Sequence, residues 1–97
     1  MDFIKVAAAC PKTKVADVQY NVENICYCID EAHNKGVKFL VFPELCITSY
    51  TCSDLFLTSP LLNKSIEGLK EVVKRTMGTD MLVVVGAPLL LNNILYN

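Results

Sequence analysis

A single histidine, His33, is the only imidazole in this chain of 97 residues, which leaves a histidine-centred metal site without its ligands. Near the end of a predicted helix, one His reads instead as a capping or surface group. Charge is equally scarce. Only 20% of the residues are Asp, Glu, Lys or Arg, nine basic against ten acidic, for a formal net charge of -1. That balance supplies neither a basic stripe for a phosphate backbone nor an acidic tail, so nucleic acid is not expected as a partner. The N-terminus, Met1-Asp2-Phe3-Ile4-Lys5-Val6, lacks the basic segment, long apolar core and small-residue cleavage site of a secretory signal. No apolar run approaches the ~18 residues that read as a membrane span, so no membrane is expected as a partner either.

Cysteine is present, but in a pattern that suits neither cross-links nor metal. Cys10, Cys26, Cys28, Cys46 and Cys52 form an odd set without a secretory signal, which points to reduced thiols and a cytoplasmic location. There is no C-x-x-C pair. Cys26 and Cys28 lie two apart on a predicted helix, point in different directions and read as small packing residues. What the chain has in excess is apolar surface: 53% of its residues are hydrophobic, against ~45–50% for an average soluble domain. Its length allows one small domain at most, and such a composition calls for more cover than a domain of this size supplies.

The run Phe3 to Cys10, stopped by Pro11, reads as a first strand apolar enough for burial on both faces. Between Asp17 and Lys35, Val18, Val22, Ile25, Ile29 and Ala32 recur at helical steps, while Asn21, Glu23, Asp30, Glu31 and Asn34 fall on a polar face. Asp17 is the candidate N-cap and Gly36 the left-handed stop. Val37 to Phe42 forms a second buried strand, ended by Pro43, which has no N–H for a ladder. A loop from Leu45 to Thr58 follows, with a short turn expected around Asp54-Leu55-Phe56. Ser59-Pro60 reads as a cap and a first-turn proline. A second helix then presents Leu62, Ile66, Leu69, Val73 and Met77 as its apolar stripe and is closed by Gly78. Met81 to Gly86 is a third buried strand, and Leu89 to Leu91 with Ile94 to Tyr96 reads as a hairpin about Asn92-Asn93. The order β-α-β-α-β predicts an α/β fold with a parallel core, helices on at least one face and ligands outside the carboxyl ends of the strands.

At that edge stands Glu44, the sole charged residue between Phe39 and Ser53. A carboxylate just past a buried strand needs a partner or a chemical task. The ordinary partner would be a turn that it caps or a lysine such as Lys38. The task would be general base, with burial against Phe42, Leu45 and Ile47 raising the carboxyl pKa toward neutrality. Cys46 and Cys52 are the local thiols. Cys46 follows Glu44 by two residues along one loop, a poor geometry for a base and its nucleophile, so the nucleophile is expected outside this chain.

The segment Val41-Phe42-Pro43-Glu44-Leu45-Cys46-Ile47-Thr48-Ser49-Tyr50 resembles the first catalytic segment of the nitrilase, or carbon–nitrogen hydrolase, superfamily, in which an acid follows Phe-Pro after the second strand. Thr51-Cys52-Ser53-Asp54-Leu55-Phe56 narrows the likeness to the amidase domains of the glutamine-dependent NAD synthetase family, and the similarity extends from Lys5 to Asn97. The resemblance implies a nitrilase-like α-β-β-α sandwich, of which residues 1–97 are expected to be a truncated N-terminal portion. It also implies glutamine as substrate, hydrolysed by a glutamate base, a lysine and a cysteine through a thioester, with the ammonia passed to a separate synthetase domain that makes NAD from deamido-NAD. Of those three groups only the base maps here, onto Glu44; the lysine and cysteine are expected beyond Asn97. Tyr50 corresponds to a tyrosine lining the glutamine pocket, a wall that can pack an aliphatic chain and offer one hydrogen bond. Two glycine positions of the pattern are Ser49 and Ser53, which puts the local backbone geometry in question. No cofactor or metal is expected in this segment; ATP and Mg2+ belong to the synthetase domain, and a homo-oligomer is expected. Two alternatives stay open: a stand-alone nitrilase-family amidase acting on another small amide, and a non-catalytic interaction or folding fragment.

Overall fold

The computed structural model describes residues 3–49, 59–92 and 94–97. Three strands, β1 (Val6–Ala8), β2 (Phe39–Val41) and β3 (Leu82–Val84), form a parallel sheet in the order β1-β2-β3. Its rows are Val6–Phe39–Leu82, Ala7–Leu40–Val83 and Ala8–Val41–Val84. Each strand is shorter than its apolar run. Main-chain bonds nevertheless continue the pairing at both ends, with Lys38 N donating to Lys5 O at 2.8 Å and Phe42 N donating to Val84 O at 2.9 Å.

Two helices, α1 (Val18–Asn34) and α2 (Ser59–Thr76), make the crossovers and share one core with the sheet. The Asp17 side chain accepts from Tyr20 N at 3.1 Å and caps α1, and Gly36 leaves the helix at φ +78°. Val18, Val22, Ile25, Ile29 and Ala32 are all buried, as their spacing requires. Asn21 departs from expectation: it is fully buried instead of lying on the polar face. Its carboxamide satisfies main-chain groups that have no ladder partner. Oδ1 accepts from Lys14 N at 2.7 Å, and Nδ2 donates to Lys14 O and Ile47 O, both at 2.9 Å.

The second helix also corrects the sequence reading. Its buried line is Leu61, Leu62, Ser65, Gly68 and Val72, whereas Ile66, Val73 and Met77 are exposed by 43%, 56% and 71%. The reason is the approach of α1. A Cβ on Gly68 would lie 2.8 Å from Val18 Cγ1 and 2.9 Å from Val22 Cγ2, so the seam is chosen by small residues and not by the strongest apolar ridge. Ser65 fits the seam because its Oγ donates to Leu61 O at 3.0 Å.

Helices cover the row Ala7–Leu40–Val83, and the opposite sheet face is open. Within this segment the strands are thus covered on one face only, and Val6, Leu82 and Val84 on the other are exposed by 65%, 59% and 45%. A hairpin of β4 (Leu89–Leu91) and β5 (Ile94–Tyr96), antiparallel as predicted, adds further exposed leucines. An apolar surface of that kind favours association. A polypeptide of residues 1–97 alone is accordingly expected to self-associate in sedimentation experiments, and a clean monomer with cooperative unfolding would contradict the expectation.

Among the described residues no helix is long and apolar enough to cross a membrane, and no group of three or more His, Cys, Asp or Glu side chains is placed to hold a metal ion. Cys10, Cys26, Cys28 and Cys46 are free thiols, Cys26 buried in α1 and Cys28 only partly so. His33 lies exposed in the last turn of α1.

Candidate active site

Glu44 emerges two residues after Phe42, past the carboxyl end of β2, the central strand of the sheet. Pro43 ends the ladder, and the chain then winds through a tight turn in which Thr48 N and Ser49 N both donate to Leu45 O, at 3.2 and 2.8 Å. The turn needs left-handed backbone at Leu45 (φ 52°) and Ser49 (φ 67°). Ser49 thus takes, with a Cβ, a conformation that a glycine would adopt freely.

The turn sorts its side chains by direction. Cys46, Ile47 and Thr48 go inward and are buried, while Glu44 goes outward and is exposed. The burial of Glu44 against Phe42, Leu45 and Ile47 that the sequence suggested is not what the structure shows, since Glu44 is exposed: Phe42 shares the helix-facing parity of Leu40, the turn carries Ile47 into the same core, and Leu45 is only half-buried. Nor is Glu44 the partner of Lys38, whose Nζ bonds Asp80 Oδ2 at 2.6 Å. That hydrogen bond from the Lys38 ammonium holds the Asp80 carboxyl below its usual range. The partner Glu44 does have is uncharged. Asn97 Nδ2, just beyond β5, donates to Glu44 Oε1.

Beneath Glu44 the exit of β3 fits closely. Gly86 O accepts from Ile47 N at 3.2 Å, and the Cys46 thiol lies 3.8 Å from the same carbonyl oxygen. Burial pushes the Cys46 thiol up, the opposite of what a nucleophile at neutral pH needs. The local Glu44–Cys46 pair is therefore set aside; Cys52 and the turn expected at Asp54 lie outside the described residues, as does Tyr50, so its place relative to Glu44 is not described.

Beside the turn, Leu45, Pro88, Leu95, Tyr96 and Asn97 line a shallow cleft of about 130 Å³. Ligand pockets run to about 300 Å³ and more, so this cleft by itself is too small to enclose a ligand. A larger hollow of about 1140 Å³ lies in the groove between α1 and α2, over Val18, Val22 and Gly68, and touches none of the turn residues. Gly86 and Asn97 escaped the sequence reading. The only signal for either was the break in a β-branched run at Val85-Gly86 and the abrupt polar residue after Tyr96.

The Glu44 carboxylate stands at the carboxyl end of the central strand of a parallel α/β sheet, the edge at which such sheets hold their ligands. Residues 5–97 match the carbon–nitrogen hydrolase family, and the chain belongs to it. It is similar to glutamine-dependent NAD(+) synthetases: the Mycobacterium bovis protein is 30% identical over 98% of this chain and 14% of its own length, and the Homo sapiens protein 30% identical over 97% and 13%. A crystal structure of a glutamine-dependent NAD(+) synthetase from Cytophaga hutchinsonii superposes with a TM-score of 0.90 at 39% identity, over 97% of this chain and 16% of that one. The chain thus spans about a seventh of the length of the curated relatives it matches, 14% for the mycobacterial protein.

Proposed function

We propose that this chain serves in the glutamine-hydrolysing domain of a glutamine-dependent NAD synthetase, with Glu44 as the general base. The observation that carries the proposal is the placement of Glu44 past the central strand, with no cation paired to it among the described residues. A carboxylate so placed is free to take a proton. In this reading it accepts the proton of a cysteine thiol supplied from outside the segment. The thiolate forms a bond to the carboxamide carbon of glutamine, a lysine stabilises the developing oxyanion, and the C–N bond breaks with the proton returned to the departing ammonia. Water, deprotonated by the same carboxylate, then releases glutamate from the thioester. Tyr50 would pack against the aliphatic part of the substrate.

ATP and Mg2+ act, on this proposal, in a synthetase domain beyond the segment, in a cytoplasmic homo-oligomer. The test is the nitrogen source. The full-length protein carrying this segment should form NAD from deamido-NAD with either glutamine or free ammonia. A protein that hydrolyses some other small amide and makes no NAD would instead be a stand-alone amidase. Residues 1–97 alone are expected to release no ammonia from glutamine, because two of the three reacting groups are supplied from elsewhere. Turnover by that polypeptide, abolished by Cys46→Ser or Cys52→Ser, would restore a local thiol as nucleophile.

A further inference from the structure

We propose that Gly86 and Asn97 are positioning residues for Glu44, Gly86 seating the peptide that carries it and Asn97 holding its carboxylate. The inference rests on the reading of Glu44 as general base and goes beyond it, since both residues act through Glu44 and not on the substrate. Gly86 is required by space. A Cβ built on it would stand 2.3 Å from Leu45 N, 2.9 Å from Glu44 C and 3.0 Å from Glu44 Cα. All three are main-chain atoms, so no side chain can rotate away; either the exit of β3 or the Glu44–Leu45 peptide must move. The far side of the turn is fixed to the same residue, because Ile47 N donates to Gly86 O at 3.2 Å. A displacement at Gly86 is therefore transmitted to Glu44 on both flanks.

Asn97 holds the other end of the residue. Its Nδ2 donates to Oε1 of Glu44, across 53 positions of sequence, and ties the hairpin to the loop after β2. The chemistry of the donor matters. A neutral amide orients the carboxylate through a hydrogen bond without pairing it to a cation. The second carboxylate oxygen is left for the proton.

The test uses the full-length enzyme and a double-mutant design. Displacing a reacting group by about 1 Å costs on the order of 100-fold, so Gly86→Ala should lower kcat with glutamine by about 10- to 100-fold. Asn97→Ala should lower it by about 10-fold, with KM for glutamine and the ammonia-supported rate unchanged in both. In a Glu44→Gln background neither substitution should lower the residual glutamine rate more than about 2-fold, because groups that act through one residue are not additive. Equal losses in both backgrounds, or equal losses with ammonia, would assign the two residues a purely structural role and overturn the proposal. No loss from Asn97→Ala in the native background would overturn its part even if Gly86→Ala failed to fold. Full activity of Glu44→Gln itself would instead overturn the underlying reading, an outcome distinct from the others.

Discussion

Glutamine-supported NAD formation is expected to fall by about 10²–10⁴-fold in Glu44→Gln, while ammonia-supported formation survives. The substitution keeps the volume of the side chain and a carbonyl oxygen that can still accept from Asn97 Nδ2, so the turn at Leu45 has no reason to rearrange. What it removes is the carboxylate that would accept the thiol proton. A loss in that range corresponds to roughly 3–5 kcal/mol of transition-state stabilisation, too large for a disturbed surface contact and of the size that general-base removal produces. Free ammonia enters after the amide bond has been broken and does not need the base. Measuring both nitrogen sources on one preparation therefore separates chemistry from folding. Equal loss with both would mean a damaged protein, and no loss with either would return Glu44 to the status of a solvent-facing turn residue.

That Glu44 could be singled out at all follows from the neighbourhood in which it lies. Its stretch is apolar and otherwise uncharged, Pro43 marks the strand end, and the β-α-β-α-β order says which edge of the sheet that end occupies. The elements themselves were legible where a local cause governs them. Asp17 caps α1, Gly36 and Gly78 leave their helices at positive φ, and Leu89–Leu91 pairs with Ile94–Tyr96 in the expected hairpin.

Where the sequence misled, a non-local contact decided. Periodicity marks Ile66, Val73 and Met77 as an apolar ridge, and the ridge exists, but α1 docks on the neighbouring line of Ser65 and Gly68 because only small side chains admit the valines of α1. The apolar character of Val6, Leu82 and Val84 suits burial, but within this segment they are exposed, since apolar character does not specify whether a second layer is at hand. The supports of Glu44 were hidden for the same reason. Asn97 is 53 residues away, and the demand on Gly86 comes from a neighbouring loop and not from its own backbone angle.

Asn21 is the most instructive of these, and replacing it with leucine is expected to destabilise the chain by about 3 kcal/mol. Leucine has the same branching and suits a helix better, so propensity and hydrophobicity both argue for stabilisation. Against them stand the main-chain groups that would lose this partner, Lys14 N and Ile47 O; Lys14 O would keep its bond from Asp17 N at 3.2 Å. Each buried group left unsatisfied costs about 1–3 kcal/mol; Lys14 is exposed and can recover bonds to water, whereas Ile47 is fully buried and its carbonyl cannot readily do so. The hydrogen-bond loss wins. Since domains are stable by only about 5–15 kcal/mol, the shift should appear in the full-length protein as a marked drop in the urea midpoint of the transition that includes this segment. The Asn21–Ile47 bond also anchors the inner side of the turn that carries Glu44, and the Ala16 N to Thr48 O bond, at 2.9 Å, is its neighbour. Asn21→Leu should therefore lower glutamine-supported activity at temperatures well below its unfolding midpoint, while Ile25→Val, a fully buried neighbour in α1 without hydrogen bonds to the turn, should lose about 1 kcal/mol and leave that activity intact. A midpoint for Asn21→Leu equal to or above that of the native protein would show that the carboxamide is replaceable by packing alone, and that the turn holds Glu44 without help from α1.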